Sequence, residues 1–155
     1  MALKLRLAAD LLTTLRGLSG AILVVRPSLV VLLVGIVTDW IDGPLARRAG
    51  PTPFGARFDL EADSILTLGA SVAATRAGGS PALLIAPLLR YAAVAVSGRP
   101  LDRDSVRWDR ITGVAQMAVL AAAVAPAPFR ALRILALPIS AARCAAMLVQ
   151  VQRSR

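Results

Sequence analysis

The chain has 155 residues, 57% of them hydrophobic against roughly 45 to 50% in ordinary soluble domains, and a mean hydropathy of +0.69. Its 18 Lys and Arg outnumber nine acids to give a formal charge of +9, but the basic residues are scattered and six aromatics are too few for a nucleic-acid face. With no His and one cysteine, Cys144, the composition excludes disulfide frameworks, cysteine-rich zinc sites and His-based triads.

Six apolar segments follow in chain order: Leu5–Val25, Ser28–Ala46, Phe58–Ala74, Pro81–Val96, Ile111–Ala125 and Ala131–Val151. They predict an all-α fold, an integral membrane bundle of six transmembrane helices forming a single domain over residues 1–155. Several are shorter than the roughly 20 residues that span a bilayer core, so interfacial residues complete them or the bilayer thins locally. Turn chemistry at Arg26-Pro27, Ala77-Gly78-Gly79 and Pro126-Ala127-Pro128 pairs the segments as three hairpins.

Lys4 and Arg6 before the first segment are compatible with a secretory signal, but Asp10 and Arg16 interrupt its apolar run and no convincing cleavage site follows. With that segment retained and both termini cytoplasmic, twelve basic residues fall on the cytoplasmic side, from Lys4, Arg6 and Arg16 to Arg153 and Arg155. Only Arg26, Arg76, Arg130 and Arg133 fall outside, so the positive-inside rule favours this orientation and accounts for the net charge without nucleic acid.

Five of the nine acids lie between Thr38 and Ser64, where the second and third segments meet their cytoplasmic ends. At about 1.5 Å per residue, Asp39 sits only ~16 Å along the second helix, within a hydrocarbon core of roughly 30 Å. An unpaired Asp there costs on the order of 2.5 to 3.5 kcal/mol, and intramembrane acids normally mark functional sites. Asp39 and Asp42 are three apart and Asp59 and Asp63 four apart, so each pair shares a helix face and four carboxylates can converge. Mutual repulsion calls for a cation, and oxygen-loving Mg²⁺ or Mn²⁺, one ion or two, fits that role. A structural polar cluster is the bland alternative, but four acids with no adjacent Lys make a poor glue.

The pattern Asp39-x-x-Asp42-Gly43-x-x-Ala46-Arg47 followed by Gly55-x-x-x-Asp59-x-x-x-Asp63 resembles the signature of the CDP-alcohol phosphatidyltransferases, with all eight fixed positions present. Seven residues separate Arg47 from Gly55, one fewer than most members have, in a loop where a deletion is readily absorbed. Asp10-Leu11-Leu12-Thr13 is similar to the family's Asn/Asp-x-x-Thr element, and the stretch Arg110-Ile-Thr112-Gly-Val-Ala-Gln116-Met117 is similar to the start of its fifth helix. Where many bacterial phosphatidylglycerophosphate synthases read Asp-Pro-x-Ala-Asp-Lys, this chain reads Asp59-Leu-Glu-Ala-Asp63-Ser64, and Glu61 has no assigned role.

The resemblance implies transfer of a substituted phosphate from a CDP-linked alcohol, typically CDP-diacylglycerol, to a second alcohol with release of CMP, at an active site in the cytoplasmic half of the bundle. It implies that Asp39, Asp42, Asp59 and Asp63 hold two Mg²⁺ or Mn²⁺ ions and that Asp63 is the general base. On the donor side it implies contacts from Asp10, Thr13, Gly43, Ala46, Arg47, Thr52 and Gly55, with Gly43 and Ala46 leaving room for the nucleotide. It also implies a homodimer. Arg47 and Arg48 have a second reading as topology anchors, and Thr13 and Thr52 as local backbone binders.

Arg90 and Arg143 each lie roughly two turns, about 10 Å, inside the cytoplasmic end of their segments. Either they snorkel or pair with the acids, or with Arg110 they form an anion pocket for a phosphorylated acceptor such as glycerol phosphate or inositol phosphate. Neutral acceptors such as serine or inositol are the alternative to a phosphorylated one. A catalytically degenerate member of the family and a transporter-like membrane protein are the other function classes that intramembrane charge allows.

Overall fold

A computed structural model describes residues 2–50, 52–97, 107–126, 131 and 134–153. Among them are six α-helices and no strand: α1 Ala2–Val25, α2 Leu29–Ala49, α3 Pro53–Arg76, α4 Ile85–Ser97, α5 Arg107–Val124 and α6 Ala136–Arg153, with a 3-10 turn at Pro81–Leu84. The expected helical class and segment order hold. Two helices, spanning Leu3–Val25 and Leu29–Ala49, are long and apolar enough to cross a membrane. The chain divides into two compact units, Met1–Ala73 and Ala74–Arg155.

Local chemistry sets the ends of the helices in the first unit. Pro27 cannot continue the α1 ladder, and Ser28, with φ −149° and ψ 120°, caps α2 by accepting from Val31 N at 3.4 Å. Helix α2 runs three residues beyond the expected Ala46, because Arg47 and Arg48 are good helix formers whose charge suits a helix C-terminus. It stops at Gly50, whose φ of 89° is open to glycine and strained for other residues. Helix α3 starts at Pro53, five residues before the expected Phe58. Thr52 is its cap, with Gly55 N donating to Thr52 Oγ1 at 3.1 Å and Ala56 N to Thr52 O at 3.0 Å. Proline at the first helical position is pre-set for that geometry, and the stacked rings of Phe54 and Phe58, one turn apart and 5.9 Å between centroids, support the opening turn.

Within this unit, helices α1 and α3 meet backbone to backbone. A Cβ built on Gly20 would lie 2.5 Å from the Ile65 carbonyl oxygen, one on Gly69 would run into the Gly20 carbonyl, and one on Gly17 would meet Ala62 at 3.9 Å. Helix α2 closes in likewise where Gly35 faces the Leu66 side chain. Small residues at such crossings are how helices pack where hydrophobic burial offers little drive. The opposite side of α1 presents Leu3, Leu7, Leu11, Leu15, Leu18 and Ile22, each at least 48% exposed. A stripe that long matches hydrocarbon better than water.

In the second unit α3 ends in a glycine cap: Gly78, φ 93°, donates to Thr75 O at 3.0 Å while Gly79 donates to Ala74 O at 2.9 Å. The segment expected as one helix from Pro81 divides into the 3-10 turn, capped by Ser80, and α4. Helix α6 begins at Ala136 and not Ala131, which puts Pro138 in its first turn, where its missing N–H leaves no bond unmade.

Candidate active site

Four aspartates and one arginine from three helices share a single point of the first unit. Arg16 of α1 places Nη1 3.0 Å from Asp39 Oδ1, 2.7 Å from Asp59 Oδ1 and 2.5 Å from Asp63 Oδ1, and its Nη2 bonds Asp42 Oδ2. The expected convergence of the two acid pairs is therefore present, with α2 supplying Asp39 and Asp42 and α3 supplying Asp59 and Asp63. Their surroundings differ. The Asp42 side chain is 5% exposed and Asp39 is 48% exposed, so the cluster is sealed at one end and open at the other. Thr13 Oγ1 lies 3.1 Å from Asp42 Oδ2 and 3.0 Å from the Ala9 carbonyl; it has one proton, so it donates to one of them at a time.

Arg16 is the residue the sequence reading misjudged. The positive-inside count takes it as a topology charge, and the sequence places no Lys beside the acids; in the structure the Arg16 side chain is 0% exposed and faces all four. The available signal was an arginine mid-way along an apolar helix, four residues before Gly20 and three after Thr13, hence on the face that carries both. Truncating one partner of such a buried pair typically costs about 3–5 kcal/mol.

The donor set fits a divalent cation. Asp39, Asp42 and Asp59 each offer a carboxylate oxygen, all within 4.8 Å of one another, and four carboxylates against one guanidinium leave the site anionic. Hard oxygen ligands at that spacing suit Mg²⁺ or Mn²⁺.

The other expected donor-side residues are near but less concentrated. Among the described residues, a Cβ at Gly43 would have only the Arg47 Nη1 within 4 Å outside the backbone of its own helix, at 3.5 Å. Ala46 and Arg47 are exposed at the end of α2, and Asp10 is half-buried on α1, its carbonyl accepting from Thr14 Oγ1 at 2.7 Å. Thr52 is occupied as the α3 cap, and a Cβ on Gly55 would press to 3.0 Å from its hydroxyl. Glu61 is exposed.

In the second unit, α5 and α6 meet where Arg143 Nη1 lies over Gly113, 2.5 Å from where a Cβ would stand. Gln116 and Ser140, three residues along from Gly113 and before Arg143, belong to the same helix faces. Gln116 Oε1 and Nε2 and Ser140 Oγ are buried with no hydrogen-bond partner among the described residues. Arg90 is half-buried on α4, and Arg110 belongs to α5 with its side chain outside the described part.

A family model described as CDP-alcohol phosphatidyltransferase matches residues 6–148, across both units. Comparison with curated proteins and with solved structures finds no match.

Proposed function

The chain belongs to the CDP-alcohol phosphatidyltransferase family, and from that premise we propose that it transfers a phosphatidyl group from CDP-diacylglycerol to a small alcohol, releasing CMP, in phospholipid biosynthesis. The observation that carries this reading is the convergence of Asp39, Asp42, Asp59 and Asp63, from two helices, on the buried Arg16 of a third.

In the proposed mechanism Asp39, Asp42 and Asp59, assisted by Asp63, would hold two Mg²⁺ or Mn²⁺ ions. When bound, these supply positive charge to the pyrophosphate and to the departing CMP. Asp63 takes the proton from the acceptor hydroxyl as its oxygen attacks the phosphorus distal to cytidine; the bond from that phosphorus to CMP breaks, and CMP leaves with the electron pair. The space above Gly43 admits the nucleotide, bordered by Ala46 and Arg47, while Asp10 and Thr13 hold the α1 side and Thr52 and Gly55 shape the start of α3.

The acceptor on this reading is anionic, glycerol 3-phosphate or an inositol phosphate, with Arg90, Arg110 and Arg143 as its binding groups. Support comes from the α5–α6 seam, where Arg143 lies on the faces that carry Gln116 and Ser140, whose buried polar atoms have no hydrogen-bond partner among the described residues. Unpaired polar atoms are costly in an apolar interior, and a polar ligand removes that cost.

The test is CMP release by the purified chain with CDP-diacylglycerol, Mg²⁺ or Mn²⁺, and a panel of glycerol 3-phosphate, inositol phosphate, inositol and serine. The expected result is turnover with a phosphorylated acceptor, and an Arg143→Ala variant whose KM rises for that acceptor alone. No CMP from any acceptor would favour a degenerate family member or a transporter-like protein.

We also propose that the chain is a multi-pass protein of the plasma membrane, a homodimer, with both termini and the active site cytoplasmic. With Arg16 engaged by the acids, eleven basic residues against four still favour that orientation. Tags at either end should resist protease added outside intact cells; cleavage of both would reverse the assignment.

A further inference from the structure

Three carboxylate oxygens, from Asp39, Asp59 and Asp63, crowd a single nitrogen of Arg16, at 3.0, 2.7 and 2.5 Å, while the second terminal nitrogen serves Asp42. A terminal guanidinium nitrogen carries two protons, so three acceptors oversubscribe it. At the other edge of the same group Nε is buried and has no hydrogen-bond partner among the described residues. Arginine ordinarily meets carboxylates as a planar fork, two parallel bonds to one carboxylate. Here the oxygens come from different residues on two helices and are disposed about a point. Oxygens arranged about a point are the environment of a hard divalent cation, which accepts ligands from all sides.

We propose that Arg16 is a positioning residue that holds this carboxylate set together as a stand-in cation and competes with the divalent ion for it. The inference rests on the reading of Asp39, Asp42 and Asp59 as metal ligands. Asp39 and Asp59, whose Oδ1 atoms face Nη1, belong to the three acids whose oxygens lie within 4.8 Å of one another, so an ion held by them would compete with the guanidinium for the same carboxylates. Two cations at that separation repel strongly where little water intervenes. Loading the site therefore requires Nη1 to withdraw, and the long arginine stem permits that without moving α1, which Gly20 locks against α3. The arrangement gives the four acids a counter-charge at all times while making the ion's hold weaker than the carboxylates alone would give. Were Arg16 instead a permanent member of the loaded site, its removal would weaken metal binding.

The experiment uses the whole chain purified in detergent with Mn²⁺ and no nucleotide, following free Mn²⁺ by its electron paramagnetic resonance signal during titration and during back-titration with a chelator. Arg16→Gln, which keeps a polar side chain and removes the charge, should bind Mn²⁺ about tenfold more tightly or better and surrender it at correspondingly higher chelator. Arg16→Lys, still a cation, should stay within about threefold of the wild type. Unfolding in excess chelator should occur at lower temperature for Arg16→Gln, with Mn²⁺ restoring more stability than it adds to the wild type. If Arg16→Gln folds only with metal present, the back-titration alone decides. Equal or weaker Mn²⁺ binding by Arg16→Gln while the wild type binds would overturn the proposal and leave the metal assignment standing. Absence of Mn²⁺ binding by all three proteins would overturn both.

Discussion

Asp63→Asn is expected to slow CMP release by about 10²- to 10⁴-fold while CDP-lipid binding survives, the signature of a lost general base. The substitution preserves the size of the side chain and one carbonyl oxygen but removes the basic site. Asp63 is one turn further along α3 than Asp59, on the same face, and its side chain is 27% exposed, so it combines cluster membership with an approach open to a second reactant. Asp39→Asn gives the contrasting profile. Asp39 belongs to the group of three acids whose oxygens lie within 4.8 Å of one another, so its loss should weaken ion binding and donor binding together and be partly rescued by more Mg²⁺. Measuring CMP release and CDP-lipid binding for both variants across a Mg²⁺ titration separates the two roles. Near wild-type turnover of Asp63→Asn, or its full rescue by Mg²⁺, would make Asp63 a ligand only and place the base elsewhere.

What the sequence disclosed and what it concealed divide along the range of the interactions involved. The spacing of Asp39 and Asp42, and of Asp59 and Asp63, is local: helical periodicity alone puts each pair on a face, and the structure brings the two faces together. The partner of those acids was not local. Arg16 is 26 residues from Asp42 and 47 from Asp63, and the positive-inside count takes a lone arginine in the first segment as a topology signal. Cap chemistry lay between these cases. Thr52-Pro53 carries an N-cap followed by a proline suited to the first helical position, but the neighbouring Gly50 and Pro51 read as loop, and the apolar pattern predicts a start at Phe58, five residues after the observed one. The close contacts of α1 with α3 were hidden altogether, since nothing in Gly17, Gly20 or Gly69 names the helix each one faces.

Those hidden glycines carry the second large effect: Gly20→Val should both destabilise the protein and disable the site, although valine is apolar and Gly20 is no part of the chemistry. A Cβ at Gly20 would stand 2.5 Å from the Ile65 carbonyl oxygen and 2.7 Å from the Leu66 Cα, both backbone atoms that cannot step aside as a side-chain end can. The helices must part, at a cost of about 1–3 kcal/mol by the usual penalty for overpacking, with the further methyl groups of valine adding to it. Arg16 precedes Gly20 by one turn on the same face, so any opening of α1 from α3 lengthens the contacts of Arg16 with Asp59 and Asp63. The unfolding temperature and CMP release should therefore both fall in Gly20→Val, with Gly20→Ala intermediate. Gly43→Ala is the comparison that gives this its meaning. Its Cβ would meet only the mobile end of Arg47, at 3.5 Å, so the unfolding temperature should stay at the wild-type value while the KM for the CDP-lipid rises. Wild-type stability in Gly20→Val would show that the α1–α3 crossing does not hold the acids in place, and wild-type donor KM in Gly43→Ala would remove that glycine from the nucleotide path.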